Sequence, residues 1–239
     1  MKSIRIALAF LPAFLLMANI SAPFTGNKLV LESSGTTLHT TNPVKDYYTA
    51  WNLTAVGLAQ EAFNAALKGY NYLKEKNLLT NPAVMTIVDY SKPSSQKRLY
   101  VLDMNEGKIL FNTLVAHGRN SGLEYATNFS NAEESHKTSL GFFITMNTYT
   151  GGNGYSLKLQ GCEKGINDKA LERAIVVHGA EYADESFIQH NGFLGRSYGC
   201  PAVPEKFSKK IIDAIKNGSC MFLYHPTKKY TAVSKILNS

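Results

Sequence analysis

The stretch "GRSYGCPAV" (195–203) holds one cysteine between a glycine and a proline. Gly199 lets the chain turn sharply and bring backbone N–H groups close to a ligand. Pro201 offers no N–H and fixes its own φ. The flanking run "NGFLGRSYGCP" is rich in glycine and polar residues, which puts Cys200 on a loop or strand end. The residue types alone leave four roles open: nucleophile, half of a disulfide, metal ligand, or buried small residue. A nucleophilic thiol needs a base or cation to form thiolate, since a free cysteine titrates near pH ~8.5. It also needs donors aimed at the oxyanion of a tetrahedral intermediate.

His178 is the best candidate for the base. It ends the apolar run "AIVVHG", and a strand end presents a side chain rigidly. Gly179 follows and is expected to leave room for a substrate. The N–H groups of Gly199 and Cys200 are candidates for the oxyanion site. Arg196 and Ser197 are close enough in sequence to bind a carboxylate or polar group. His117, in "VAHGRNSG", reads either as a substrate contact or as a turn residue, and His190 in "FIQHNGF" as a solvated side chain.

These residues need elements to hold them. From Pro82 onward the chain reads as strands: "VMTIVDY" (84–90), "RLYVLD" (98–103), "ILFNTLVAHG" (109–118), "LGFFITM" (140–146), "SLKLQG" (156–161), "RAIVVHG" (173–179) and "CMFLYH" (220–225). Short helices are expected at "NDKALERA" (167–174) and from Pro204 to Asn217, with Gly218 just beyond the second. Before the strands, Val56, Ala59, Phe63, Ala66, Tyr70 and Leu73 recur at helical steps from Leu53 to about Lys76, with Asn52 as the expected N-cap. "GGNGYS" (151–156) lacks the ending of a phosphate-binding loop and reads as a turn. The fold class is therefore mainly β with flanking helices (α+β), closed as a barrel or sandwich, with an N-terminal helical subdomain.

The organisation expected is a signal peptide over 1–22, a flexible lead-in over 23–50, a helical segment over 51–80 and a catalytic domain over 82–239. Lys2 and Arg5 precede an apolar run from Ile6 to Met17, and small residues follow at Ala18, Ser21 and Ala22. That is the pattern of an export signal, too short for a membrane span. Export would put Cys162, Cys200 and Cys220 where disulfides form. Three is odd, so if Cys162 and Cys220 pair, Cys200 is left over. The net charge of +7 comes from scattered lysines, which fits a solvated surface or attraction to an anionic wall. There is no dense basic stripe, so nucleic acid is not an expected partner.

Five motifs in order, "VAHGRNSG" (115–122), "FSN" (129–131), "SLGFF" (139–143), "AIVVHGA" (174–180) and "GRSYGCPAV" (195–203), resemble the murein branch of the L,D-transpeptidases, cysteine enzymes that remodel bacterial peptidoglycan. The similarity spans roughly residues 53 to 225. It implies an L,D-transpeptidase-like β-barrel or sandwich with Cys200 as nucleophile, His178 as base, the Gly179 carbonyl orienting the imidazole, and Ser197 and Gly199 framing the cysteine. Substrate contacts are expected among Arg196, His117, Arg119, Ser139 and Tyr198. The implied reaction is acyl transfer from a stem tetrapeptide with loss of D-alanine and no metal or other cofactor. An amine acceptor makes it a transpeptidase, and water a carboxypeptidase. The implied location is the periplasm or cell envelope.

Three departures stand out. Tyr198 occupies a position where the superfamily often has His. Ala202 stands where an Arg often lies two residues past the cysteine, and Arg196 or Arg119 are the candidates to replace it. The interval from His178 to Cys200 is 22 residues, longer than usual, which implies an inserted loop around 183–193. Other readings are weaker. Papain-like enzymes have the opposite chain order. Sortase-like enzymes need an arginine well after the cysteine, and none follows Arg196. A zinc site of His178, His190 and Cys200 lacks supporting spacing, and a non-catalytic wall-binding module would have Cys200 in a disulfide.

Overall fold

The computed structural model describes residues 46–239. The expected signal peptide and all but the end of the expected lead-in lie outside the described residues. Asp46 caps a single helical turn, α1 (Tyr47–Ala50). The helix expected from Leu53 is split. A 3₁₀ turn over Leu53–Val56 ends at Gly57, whose φ of +71° breaks the helical path, and α2 begins only at Gln60 and runs to Glu75. Asn52 makes no side-chain cap. The break lets Leu53 and Leu58 enter the core from irregular backbone, while Phe63, Ala66, Tyr70 and Leu73 form the apolar face that the sequence pattern predicts.

Eight strands follow in one sheet: β1 (Val84–Asp89), β2 (Leu99–Asp103), β3 (Lys108–Thr113), β4 (Gly141–Gly151), β5 (Gly154–Gly161), β6 (Val176–Gly179), β7 (Ala202–Val203) and β8 (Cys220–Tyr224). Their order is β3-β2-β1-β8-β4-β5-β6-β7. The β1–β8 and β6–β7 pairs are parallel and the rest antiparallel. The chain beyond β3 then returns to the far edge. The Ala116 N–H donates to the Ala202 carbonyl at 2.8 Å, so the two edges meet and the sheet closes like a barrel. Closure leaves fewer backbone groups unpaired at sheet edges.

Helix α2 packs on β1 and β8, and α4 (Glu205–Ile215) packs on β6, β5 and β1. Every residue of β1 and β8 is buried. These central strands read as continuous apolar runs rather than alternating ones because both their faces are covered. A side chain at Gly69 would collide with the ring of Phe142, which itself stacks on Phe222 at 4.0 Å. Two short segments differ from expectation. Residues 167–174 form successive turns instead of a helix, and the inserted segment after β6 forms α3 (Glu185–Asn191), capped by Asp184 and closed by Gly192. The last helix, α5 (Lys228–Thr231), follows β8.

Beneath the C-terminal segment lies Glu163, only 4% exposed. Its carboxylate accepts from the Phe142 N–H at 2.9 Å, the Tyr230 hydroxyl at 3.0 Å and the Ser234 hydroxyl. Burial pushes its pKa up, and these donors oppose that shift. The acid thus joins the start of β4 to the end of the chain.

Candidate active site

Strand pairing positions the two reactive side chains. His178 lies between Ser156 of β5 and Ala202 of β7. Cys200 precedes β7 by two residues, so its place along the parallel pair is beside Val176. The Val176 N–H points at Cys200 Sγ from 3.5 Å, and the thiol faces the Ala174 carbonyl at 3.8 Å. Burial raises the thiol pKa, opposed by the Val176 N–H and by the charge of Arg173.

His178 Nδ1 lies 2.8 Å from the Gly179 carbonyl. A carbonyl only accepts, so Nδ1 carries the proton and Nε2 has a free lone pair. Burial lowers the imidazole pKa, which keeps the ring neutral and able to take a proton. Among the described residues no hydrogen bond joins this ring to Cys200. Gly179 does not leave open space. A β-carbon there would lie 2.8 Å from Ser208 Oγ and 3.3 Å from Glu205 Cα on α4, so close packing of helix on strand requires the glycine.

The turn before Cys200 is locked from within. Ser197 Oγ donates to the Cys200 carbonyl at 2.6 Å and accepts the Gly199 N–H at 3.1 Å. The Gly199 N–H is therefore committed, and the oxyanion role expected of it falls to other donors. The Cys200 and Tyr198 N–H groups have no acceptor among the described residues. Gly199 has φ of +121°, and a β-carbon there would meet the Lys137 carbonyl at 2.8 Å. Both its conformation and its surroundings demand glycine.

The motif at 115–122 braces this turn. The Ser197 N–H donates to the His117 carbonyl at 3.0 Å and the Arg119 N–H to the Ser197 carbonyl at 2.7 Å. His117 is fully buried, so it presents no surface to a substrate. Its Nδ1 lies 2.8 Å from Arg98 Nη2, and Nε2 lies 3.3 Å from the Gly122 carbonyl. Arginine only donates, so Nδ1 accepts and the ring is neutral. Burial and the Arg98 charge push its pKa down to about 3. Arg98, buried and in no ion pair among the described residues, spans the Val115 and Lys92 carbonyls.

Ser139 is also buried and sits behind the site. Its hydroxyl donates to the Ser130 carbonyl at 2.9 Å and accepts from Arg173. The exposed candidates are Arg119, Arg196 and Tyr198. Tyr198 is 64% exposed, stacks on His136 at 4.5 Å and lies under Arg119 at 5.7 Å. Arg196 reaches the Arg119 and Gly122 carbonyls. A cleft of about 340 Å³ is lined by Glu133, Glu134, His136, Glu172, Arg173, Ala174 and Tyr198, and so opens beside the residue whose carbonyl faces the thiol. Sequence reasoning missed Arg173. It sits in a stretch that reads as an ordinary polar helix, and only the folding of 129–139 around it reveals its place.

Two of the departures noted in the sequence meet in one place. Ala202 is fully buried in a small cluster with Leu114, Ala116, Ala180, Ala183 and Leu194. Ala183 and Leu194 bracket α3, so the inserted segment covers the position where an arginine is often found. A long cation at 202 would have to displace that cluster.

Among the described residues no three His, Cys, Asp or Glu side chains converge as a metal site. His190, on α3, bonds the Ser186 carbonyl of its own helix. Cys162, Cys200 and Cys220 are all free thiols. No helix among the described residues is long and apolar enough to cross a membrane.

On this closed β-sheet a thiol lies beside a strand that carries an oriented, neutral imidazole. Residues 54–224 match the model of the L,D-transpeptidase catalytic domain, and the chain belongs to that family. Similar solved structures include an L,D-transpeptidase from Mycobacterium smegmatis, at 13% identity over 60% of this chain and 59% of that one, TM-score 0.38. Another is L,D-transpeptidase 1 of Mycobacterium tuberculosis, at 13% identity over 60% of this chain and 62% of that one, TM-score 0.34. A third is the helical cell shape determining protein Pgp2 of Campylobacter jejuni, at 15% identity over 61% of this chain and 49% of that one, TM-score 0.39. The chain spans less than two thirds of the length of each. No curated protein sequence matches it.

Proposed function

We propose that the protein is an exported, cysteine-dependent L,D-transpeptidase that acylates Cys200 with a peptidoglycan stem tetrapeptide. The observation that carries this reading is the His178 ring, held by the Gly179 carbonyl with Nε2 free, on the strand that runs beside Cys200. The thiol turns from Ala174 toward His178 and gives its proton to Nε2. The thiolate attacks the carbonyl between the L-centre of the diamino acid and the terminal D-alanine. The free Cys200 N–H is available to the resulting oxyanion. Collapse breaks the C–N bond, the D-alanine nitrogen takes the proton from His178, and a thioester remains. An amine from a second stem then loses a proton to His178 and attacks the thioester. The sulfur leaves as thiolate and is reprotonated, and a 3→3 cross-link results. Arg119, Arg196 and Tyr198, exposed beside the turn, are suited to contact the substrate.

The test is mass spectrometry of the protein incubated with a disaccharide-tetrapeptide donor. The expected result is a thioester adduct on Cys200 with release of D-alanine, absent in Cys200→Ala, followed by cross-linked dimer when acceptor is supplied. A Cys200→Ala protein that still releases D-alanine would overturn the reading. Release into water alone, with no dimer, would make the enzyme an L,D-carboxypeptidase.

A further inference from the structure

Arg173 makes no ion pair among the described residues, although three glutamates line the same cleft. Its guanidinium is instead bound by neutral acceptors. Nη1 donates to the Ser130 carbonyl at 2.9 Å and to Ser139 Oγ. Nη2 donates to the Lys137 carbonyl at 2.7 Å and to Ser135 Oγ at 3.2 Å. These acceptors come from the loop that contains the "FSN" and "SLGFF" motifs. Asn131 fastens that loop to the arginine's own segment, through Asp168 at 2.7 Å and the Lys169 N–H at 3.2 Å.

The cation is aimed at the nucleophile's turn. A β-carbon on Gly199 would lie 3.2 Å from Arg173 Nη2. The next residue, Ala174, supplies the carbonyl that faces Cys200 Sγ. The four Nη hydrogens are all committed to the protein, so the fork cannot also grip a substrate carboxylate in bidentate fashion. What remains is a fixed positive charge without a counter-anion, held beside a thiol that must become an anion.

We propose that Arg173 is a positioning residue whose immobilised charge stabilises the Cys200 thiolate, and that the loop 130–139 exists in part to hold it there. This rests on the reading of Cys200 as nucleophile.

Other titratable groups around the thiol must be distinguished from it. They are Glu172 from the same turns, His178 from β6, Tyr90 after β1, Tyr182 from the 3₁₀ turn Glu181–Ala183 that follows β6, His136, Glu133 and Glu134 from the 129–139 loop, and Tyr198. Tyr90 and Tyr182 are pushed up by burial and are neutral. Arg173 is the cation whose charge acts on the sulfur.

The test is the pH dependence of Cys200 alkylation by iodoacetamide in the full chain, read by peptide mass mapping with Cys200→Ala as blank. Arg173→Gln should raise the midpoint by about one unit and slow alkylation at pH 7 about tenfold. Arg173→Lys should lie nearer the wild type. Ser135→Asp keeps the arginine but places a carboxylate against it, and should raise the midpoint like Arg173→Gln without disturbing a buried residue. It stands as the test if Arg173→Gln does not fold. Profiles that coincide with the wild type in the folded variants overturn the proposal. If Cys200→Ala keeps its D-alanine release, the nucleophile reading fails instead, whatever the profiles show.

Discussion

Gly199 stands at φ of +121°, and a β-carbon there would lie 2.8 Å from the Lys137 carbonyl and 3.2 Å from the Arg173 guanidinium. An alanine there must either shift its loop or push the arginine away. We expect Gly199→Ala to cost about 1–3 kcal/mol of local strain and on the order of a hundredfold in kcat/KM through misplacement of the thiol. A thermal melt and a D-alanine release assay check both, and an unaltered rate would show that the loop adapts. At this scale the sequence singled out Cys200 in its Gly-Cys-Pro turn and His178 at a strand end, and the fold lays the strand of His178 beside Cys200. The failures were of burial. His117 and Ser139 sit in motifs beside the nucleophile, but sequence does not say whether a polar side chain faces outward or holds a neighbour. Here one braces Arg98 and the other Arg173.

At the scale of elements, the motifs are braces more than contacts. The 115–122 segment extends β3 across to β7 and fixes the nucleophile's turn through the His117 carbonyl. Its histidine is held neutral, at a pKa of about 3 against an ordinary 6.5. The unfolded chain therefore binds a proton that the native state refuses between those values. The stability due to this ring is fully present above pH 6.5 and is lost as pH falls toward 3, at up to about 1.4 kcal/mol per pH unit. We predict that urea midpoints fall with acid more steeply in the wild type than in His117→Gln. Parallel curves would mean that the ring stays paired when charged. Strand positions were legible here because their apolar runs are bounded by Gly, Pro and Asn. The two-residue β7 and the turns at 167–174 were not. β7 is too short to carry a periodicity, and helix-forming residues in 167–174 yield to Asn167, which bonds the Leu140 and Phe142 carbonyls.

At the scale of the molecule, the Glu163 carboxylate ties β4 to the last residues of the chain. In Glu163→Gln one acceptor oxygen becomes a donor facing other donors. A loss of about 1–3 kcal/mol is expected by urea denaturation. A variant as stable as the wild type would show that the tail is held by packing alone. The barrel or sandwich class was legible in the run of strands, whereas the strand order that closes it and the packing of 183–194 on Ala202 depend on contacts between distant parts of the chain.

The sheet order carries a consequence for how the protein is made. β8, the strand between β1 and β4, is drawn from residues 220–224 and is made after the other seven strands of the sheet. Until it arrives, β1 and β4 are unjoined hydrophobic edges, open to pairing with other chains. A ribosome stalled before this point would release two half-sheets with their inner edges bare. The same dependence suits the protein to complementation: a peptide carrying 220–239, supplied separately, has a ready-made slot between two waiting strands.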